Sequence, residues 1–180
     1  MKPIFVTGNT NKVKALNQWL GYELPHQPLE LEEIQELDPL VVVEHKARQA
    51  YAILQKPVII EDTSLDFLAL GRLPGTYIKW FLQEVGAEGC CRLLDGFDSR
   101  AATARVVYCL YDGKELHCFS CEVPGEITNA PRGNGGFGWD PIFIPKDSQH
   151  TYAEMSEAKL AKTSVRNGAV KKLARFLDKQ

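Results

Sequence analysis

A chain of 180 residues with 44% hydrophobic and 24% charged residues has the composition of a globular protein of about one domain, which argues against disorder and low complexity. Its formal charge of −2, from 21 Lys+Arg against 23 Asp+Glu, argues against a protein that lives on duplex nucleic acid by neutralising phosphates. No apolar run approaches the roughly 20 residues of a membrane span, and Met1–Val6 passes into a strand pattern without a cleavable apolar stretch, so a cytoplasmic protein is expected.

In chain order, Ile4-Phe5-Val6 reads as a short strand, followed by Thr7-Gly8-Asn9-Thr10 and an amphipathic helix bearing Val13, Leu16, Trp19 and Leu20. Leu29 to Gln35 alternates as a second strand, with Leu31 and Glu33 on one face. Asp38-Pro39 opens a helix as cap and first-turn proline, its apolar face being Val43, Ala47, Ala50, Tyr51 and Leu54. Pro57-Val58-Ile59-Ile60 is a continuous apolar strand that ends in Glu61-Asp62-Thr63-Ser64. Thr76 can cap a helix through Trp80 and Phe81, and a further helix covers Glu88 to Leu94. Ala101–Tyr111 and Glu115–Val123 flank Asp112-Gly113, a hairpin signal. A last long helix spans about Glu157 to Lys179, with Ala161, Val165, Ala169, Leu173 and Leu177 inward. Early βα alternation with a hairpin in the middle predicts a mixed sheet in an α/β protein.

Five cysteines, an odd number, leave no complete disulfide framework, and Cys90 and Cys91 are adjacent. Cys118-x-x-Cys121 lacks the second ligand pair of a structural zinc site. On a strand, residues three apart point to opposite faces. Reduced structural thiols are expected.

Four places can carry chemistry. In Thr7-Gly8-Asn9-Thr10-Asn11-Lys12 a strand turns through glycine into a helix, so backbone N–H groups and the helix dipole form an anion site to which Lys12 adds a charge. The second glycine and Lys-Ser/Thr end of a Walker loop are absent, and an ordinary turn capped by Asn9 or Thr10 fits the same residues. Glu61-Asp62 stands at the end of an apolar strand, where ligands of open α/β sheets bind. Paired carboxylates there suit Mg²⁺, which bridges them to substrate phosphates, with Glu33 as a further oxygen; a solvated acidic turn is the alternative. Pro131 to Pro141 interleaves Phe137 and Trp139 with glycines and follows them with Asp140. Glycine permits close approach and an aromatic face can stack on a base, although aromatics entering a strand also serve as core anchors. Lys159, Lys162 and Arg166 form a basic stripe on one face of the last helix, which with Lys46 and Lys79 can meet an anionic ligand.

Thr7-Gly8-Asn9…Lys12, Glu61-Asp62-Thr63-Ser64-Leu65, Leu73-Pro74-Gly75-Thr76-Tyr77-Ile78-Lys79-Trp80-Phe81-Leu82, Pro131-Arg132-Gly133…Phe137-Gly138-Trp139-Asp140-Pro141-Ile142-Phe143 and Thr151-Tyr152-Ala153-Glu154-Met155 follow one another along nearly the whole chain. By these motifs it resembles the inosine triphosphate pyrophosphatase family. The resemblance implies one two-lobed domain over residues 1–180, with a long twisted mixed β-sheet flanked by helices and an active cleft between the lobes. It implies hydrolysis of non-standard purine nucleoside triphosphates (ITP, dITP, XTP) to monophosphate and pyrophosphate, and a homodimer.

Carried over residue by residue, Thr7, Gly8, Asn9, Thr10, Asn11 and Lys12 would hold the triphosphate, with Lys46 and Lys79. Glu33 and Asp62 would bind Mg²⁺. Asp62, with Glu61 beside it, would deprotonate the attacking water. Thr63 belongs to the same substrate-binding set. Phe137, Gly138, Trp139 and Asp140 would line the base pocket, Phe137 stacking on the purine, with Ser164 and Arg166 near its keto edge. Two departures stand out. The family's Ser-His-Arg reads Ser164-Val165-Arg166 here, and Leu160 replaces a lysine whose part falls to Lys159 or Lys162. Losing the histidine donor shifts base discrimination by about 0.5–1.5 kcal/mol. A pyrophosphatase with another base preference and a non-catalytic nucleotide binder are therefore the competing readings.

Overall fold

In the computed structural model, which describes residues 2–179, the apolar triplet Ile4–Val6 forms β1 and leads through a tight turn into α1, Thr10–Leu20. Asn9 caps α1, and Gly21, at φ 78°, ends it in the left-handed conformation that glycine adopts without strain. His26–Gln27 form β2, parallel to β1. Asp38 accepts the Leu40 N–H and Pro39 occupies the first turn of α2, Pro39–Leu54. Its face of Val43, Ala47 and Ala50 is fully buried, as the 3.6-residue pattern predicts.

The expected strand over Leu29–Gln35 does not form. Residues 28–36 carry no regular secondary structure, and Leu29 and Leu31 instead pack as pegs against the core cluster of Val6, Val43, Ala47, Ala50, Val58, Ile60, Val107 and Cys109. Alternation records burial on one face, and an irregular segment with two apolar pegs satisfies it as well as a strand does.

β3 runs over Val58–Phe67, so the expected end of this strand at Ile60 is also corrected. It pairs parallel with β1 at Val58 and Ile59, and antiparallel at Leu65 and Asp66 with the short β4, Pro74–Gly75. α3, Ile78–Arg92, is interrupted by Gly86 at φ 70° and ψ 177°, so the two helices read from the sequence are present but joined across a kink. Tyr77 rather than Thr76 stands at its N-cap. β5, Ala101–Tyr111, and β6, Leu116–Ile127, make the hairpin announced by Asp112-Gly113, and β6 pairs antiparallel with β7, Phe143–Pro145. The sheet has seven strands in the order β2-β1-β3-β5-β6-β7, with β4 beside β3, and is mixed as expected.

Cys109 and Cys118 are joined as a disulfide, which corrects the expectation of reduced thiols for this pair; Cys90, Cys91 and Cys121 are free. The hairpin turn accounts for the pairing. Asp112 N–H bonds the Glu115 carbonyl, which sets residues 109 and 118 opposite one another at a Cα separation of 4.2 Å, close to that of a non-hydrogen-bonded antiparallel pair.

The expected single terminal helix is two: α4, Glu157–Thr163, and α5, Val165–Leu177, with Ser164 extended between them at ψ 126°. The inward pattern at Val165, Ala169 and Leu173 holds. The single basic stripe does not, because the break at Ser164 removes the common helical face of Lys159, Lys162 and Arg166.

The described residues fall into two compact units. One comprises those up to Asp62, Val106–Cys121 and those from Gly168 onward; the other comprises Thr63–Arg105 and Glu122–Asn167. The first is centred on the core cluster named above. In the second, Trp139, Phe143 and Tyr152 pack edge to face or tilted at centroid distances of 5.5–6.1 Å. Gly125 of β6 lies opposite Pro145, and a methyl group there meets the Ile144 carbonyl oxygen and the Phe143 ring. Gly125→Ala is expected to lower stability by about 1–3 kcal/mol, the usual overpacking range, read as a fall in the urea midpoint at unchanged slope.

Candidate active site

The β1–α1 turn is built by its own side chains. Asn9 N–H donates to Thr7 Oγ1 at 3.1 Å, and Asn9 Oδ1 accepts from the N–H groups of Asn11 and Lys12 at 3.0 and 3.4 Å. Thr7 is tied to the adjoining strand, its N–H meeting the Gln27 carbonyl at 3.2 Å. Gly8, Asn9, Thr10 and Asn11 are exposed. A Cβ on Gly8 meets only Pro28 Cβ at 3.9 Å, so packing within the protein does not demand glycine. Its bare backbone leaves the outer face of the turn open to a ligand.

Lys12 projects from the first turn of α1 to β3. Its Nζ donates to the Glu61 main-chain oxygen at 3.3 Å and lies 3.7 Å from Glu61 Oε2, with side-chain exposures of 18% and 0%. The strand pleat sends Glu61 and Asp62 to opposite faces, so the two carboxylates do not crowd one another as their adjacency suggests. The buried one is matched by a lysine. Asp62 is half-buried, in alternation with Ser64 and Asp66.

Glu33 and Lys46 meet each other at 2.6 Å, which joins an expected metal ligand to an expected phosphate contact. Among the described residues no group of three or more His, Cys, Asp or Glu is gathered to hold a metal ion. Mg²⁺ does not need such a cage, because it keeps several waters and commonly takes one or two carboxylates together with substrate phosphates. The carboxylates of Glu33 and Asp62 are oxygen donors of that kind, so the donor chemistry fits, while Glu61 is taken up by Lys12 on the other face of the strand.

In the second unit, the glycine-rich loop is fastened to the turn Tyr152–Glu154. Thr151 and Glu154 form a reciprocal capping box, Thr151 Oγ1 donates to the Arg132 carbonyl at 2.9 Å, and Gly135 N–H donates to the Ala153 carbonyl at 3.0 Å. A Cβ on Gly133 or Gly135 strikes the Ala153 backbone, so here glycine is a packing requirement. Phe137 N–H donates to Asp140 Oδ2 at 2.8 Å, and the Arg166 guanidinium lies over the Phe137 ring at 4.8 Å. Desolvation raises the Asp140 carboxyl, while the Phe137 N–H and Arg166 pull it back. Phe137, Asp140 and Arg166 thus form one group. Trp139, at 5% exposure in the aromatic cluster, is a core anchor, and Gly138 is exposed at φ 65°.

Ser164 Oγ accepts the Asn167 N–H at 3.4 Å and so caps the first turn of α5, which carries Arg166. Lys159 Nζ lies 3.4 Å from His150 Nδ1, while Lys162 is exposed. Lys79 is exposed on α3 with its Nζ 5.2 Å from the Trp80 ring centroid, and Thr63 is half-buried on β3.

Sequence reasoning passed over two arrangements. One is the Thr151–Glu154 box with Tyr152, whose hydroxyl donates to the Thr163 carbonyl at 2.9 Å and accepts the Val165 N–H at 3.2 Å, bridging the α4–α5 break. Its signal was readable as Thr-x-x-Glu. The other is buried Asp66, with Arg72 and Arg105 at 3.9 and 3.8 Å and Arg105 also 3.0 Å from Glu122. Burial raises the Asp66 carboxyl, against the lowering influence of the Ser64 hydroxyl, Arg105 and Arg72. Extending β3 by its period of two would have placed Asp66 on the Asp62 face.

Over nearly its whole length the chain is similar to known proteins. A model of the Ham1 family matches residues 3–176. The chain is 43% identical over 182 residues to an inosine triphosphate pyrophosphatase of Yarrowia lipolytica, spanning 98% of this chain and 96% of that protein. It is 46% identical over 159 residues to the inosine triphosphate pyrophosphatase of Batrachochytrium dendrobatidis, spanning 86% and 82%. Its fold superposes on the structure of the Staphylococcus aureus Ham1 protein with a TM-score of 0.83 and 25% identity, covering 99% of each chain. With the match running from β1 into α5, this chain belongs to the Ham1 family.

Proposed function

We propose that this protein hydrolyses non-standard purine nucleoside triphosphates (ITP, dITP, XTP) to the monophosphate and pyrophosphate. The observation that carries the reading is the Lys12–Glu61 contact, which fastens an anion-ready helix start to the strand that bears two acidic groups. The activity named for its relatives at 39–46% identity agrees with it.

In this reading Thr7, Gly8, Asn9, Thr10 and Asn11 present the open face of the turn to the phosphates, with Lys12, Lys46 and Lys79 as cationic contacts and Thr63 in the same substrate-binding set. Asp62 accepts the proton of the attacking water, and Glu61 holds Lys12 in place. Glu33 and Asp62 are the residues that would hold Mg²⁺. When bound, that ion offsets charge on the pyrophosphate leaving group. Phe137 stacks on the purine, with Gly138 and Asp140 completing the pocket wall and Trp139 anchoring the loop behind them. Arg166, from the α5 start capped by Ser164, donates to the keto oxygen at purine position 6, with Lys159 as a further cation. An amino group there faces a donor and leaves it unpaired, which costs about 1–3 kcal/mol. The family resemblance extends this reading to a homodimer working in the cytoplasm.

A shifted base preference is the second reading, and Val165 favours it. At 1% exposure its side chain is apolar core and offers no donor to a base.

A pyrophosphate-release assay with Mg²⁺ across ITP, XTP, dITP, GTP and UTP tests the proposal, with turnover highest on the first three. No turnover on any of them supports a binder instead, and preference for UTP supports the second reading. Asp62→Asn is expected to lower kcat by about 10²–10⁴-fold with an unchanged circular dichroism spectrum; near-normal turnover removes Asp62 from its role. With ATP, which carries an amino group at position 6, added to the panel, Val165→His is expected to raise the ITP-over-ATP ratio of kcat/KM by about two- to tenfold, and an unchanged ratio counts against a donor at this position.

A further inference from the structure

The segment that carries Glu33 has neither strand nor helix to hold it, yet its position relative to α2 is specified twice. Glu33 meets Lys46, and one residue earlier Glu32 meets the helical pair His45 and Gln49, four residues apart on one face of α2. The Gln49 amide makes both of its contacts to this one residue. Oε1 accepts the Glu32 main-chain N–H at 2.9 Å, and Nε2 donates to Glu32 Oε2 at 3.2 Å. The main-chain donor fixes which end of the amide is oxygen, so the second contact follows without a choice of flip. His45 Nε2 lies 3.0 Å from the same Glu32 Oε2. With Leu29 and Leu31 pegged into the core, this clasp is the last fixed point before Glu33.

We infer that Gln49 is a positioning residue that sets the backbone at Glu32 and thereby the direction in which Glu33 presents its carboxylate to the metal. The inference rests on the reading of Glu33 as a metal ligand. An exposed carboxylate on an irregular segment loses conformational entropy when it coordinates, and a backbone clasp one residue away removes part of that loss in advance. Residues that orient a ligand from behind typically change metal affinity by 10–100-fold when removed.

Gln49→Met keeps the length and packing of the side chain and removes both hydrogen bonds. Two readouts are taken: amide hydrogen exchange over residues 29–36, and Mn²⁺ binding in the presence of inorganic pyrophosphate, followed by electron paramagnetic resonance. Exchange in that segment is expected to quicken, and the half-saturating Mn²⁺ concentration to rise about tenfold. The swap Glu32→Gln with Gln49→Glu rebuilds the clasp, since Glu at 49 accepts the main-chain N–H and Gln at 32 becomes the side-chain donor; it is expected to restore both values. Should the methionine variant misfold, Gln49→Glu alone, which sets two carboxylates together, provides the same comparison against the swap. Unchanged Mn²⁺ binding overturns the inference even if exchange quickens, and so does a swap that restores neither value. A wild-type protein that turns over no nucleotide defeats the enzymatic reading while leaving both of these measurements decisive.

Discussion

A buried carboxylate in the middle of a strand is the constraint around which the first unit is arranged. Glu61 has no exposed side-chain surface, and an isolated charge so placed is costly to fold. Lys12 answers it from another element, and does so with one ammonium group serving both the carboxylate and the main-chain oxygen of the same residue. That demand fixes how α1 leaves β1. The turn must be short, capped from within by Asn9, and oriented so that the first helical turn comes down on β3. An exposed helix start beside acidic residues is the by-product, and it is the feature on which the proposed chemistry draws.

The second unit solves a different problem with neutral groups and one cation. A loop rich in glycine has little to hold it, and Gly133 and Gly135 let it lie directly against the Ala153 backbone, where the Thr151–Glu154 box is waiting. Trp139 anchors the far end in the aromatic cluster. Between these two anchors Phe137 is held by its own N–H on Asp140 while its ring remains half-exposed under Arg166. Rigidity at both ends of the loop leaves one aromatic face and one guanidinium as the groups that can respond to a ligand.

Polar side-chain contacts to a carboxylate recur where this chain holds a segment without regular structure. Glu33 with Lys46, Glu32 with His45 and Gln49, and Arg132 with Glu154 each fasten an irregular segment to an ordered element. Exposed pairs of this kind add little to overall stability. Their contribution is directional, since a segment without strand or helix hydrogen bonds otherwise samples many backbone states.

The local signals of the sequence were sound where the determinants lie within a few residues. Asp38-Pro39 opened α2, Asp112-Gly113 turned the hairpin, and the 3.6-residue pattern named the buried faces of α2 and α5, because caps, turns and helical faces are decided by neighbours in the chain. The site's residue types were legible for the same reason, as turns, acidic pairs and aromatic–glycine runs are local. What the sequence alone did not determine were features settled by partners far along the chain. β3 continued past Ile60 because β4 pairs with it at Leu65 and Asp66 and Lys12, 49 residues from Glu61, meets the buried charge. Residues 28–36 stayed irregular because two leucine pegs met their burial requirement, the last helix broke where Tyr152 could bond both sides of the gap, and Cys109 found Cys118 because hairpin register placed them face to face. Local chemistry chose the parts, and long-range pairing of charges and backbone groups decided where each one ended and what it touched.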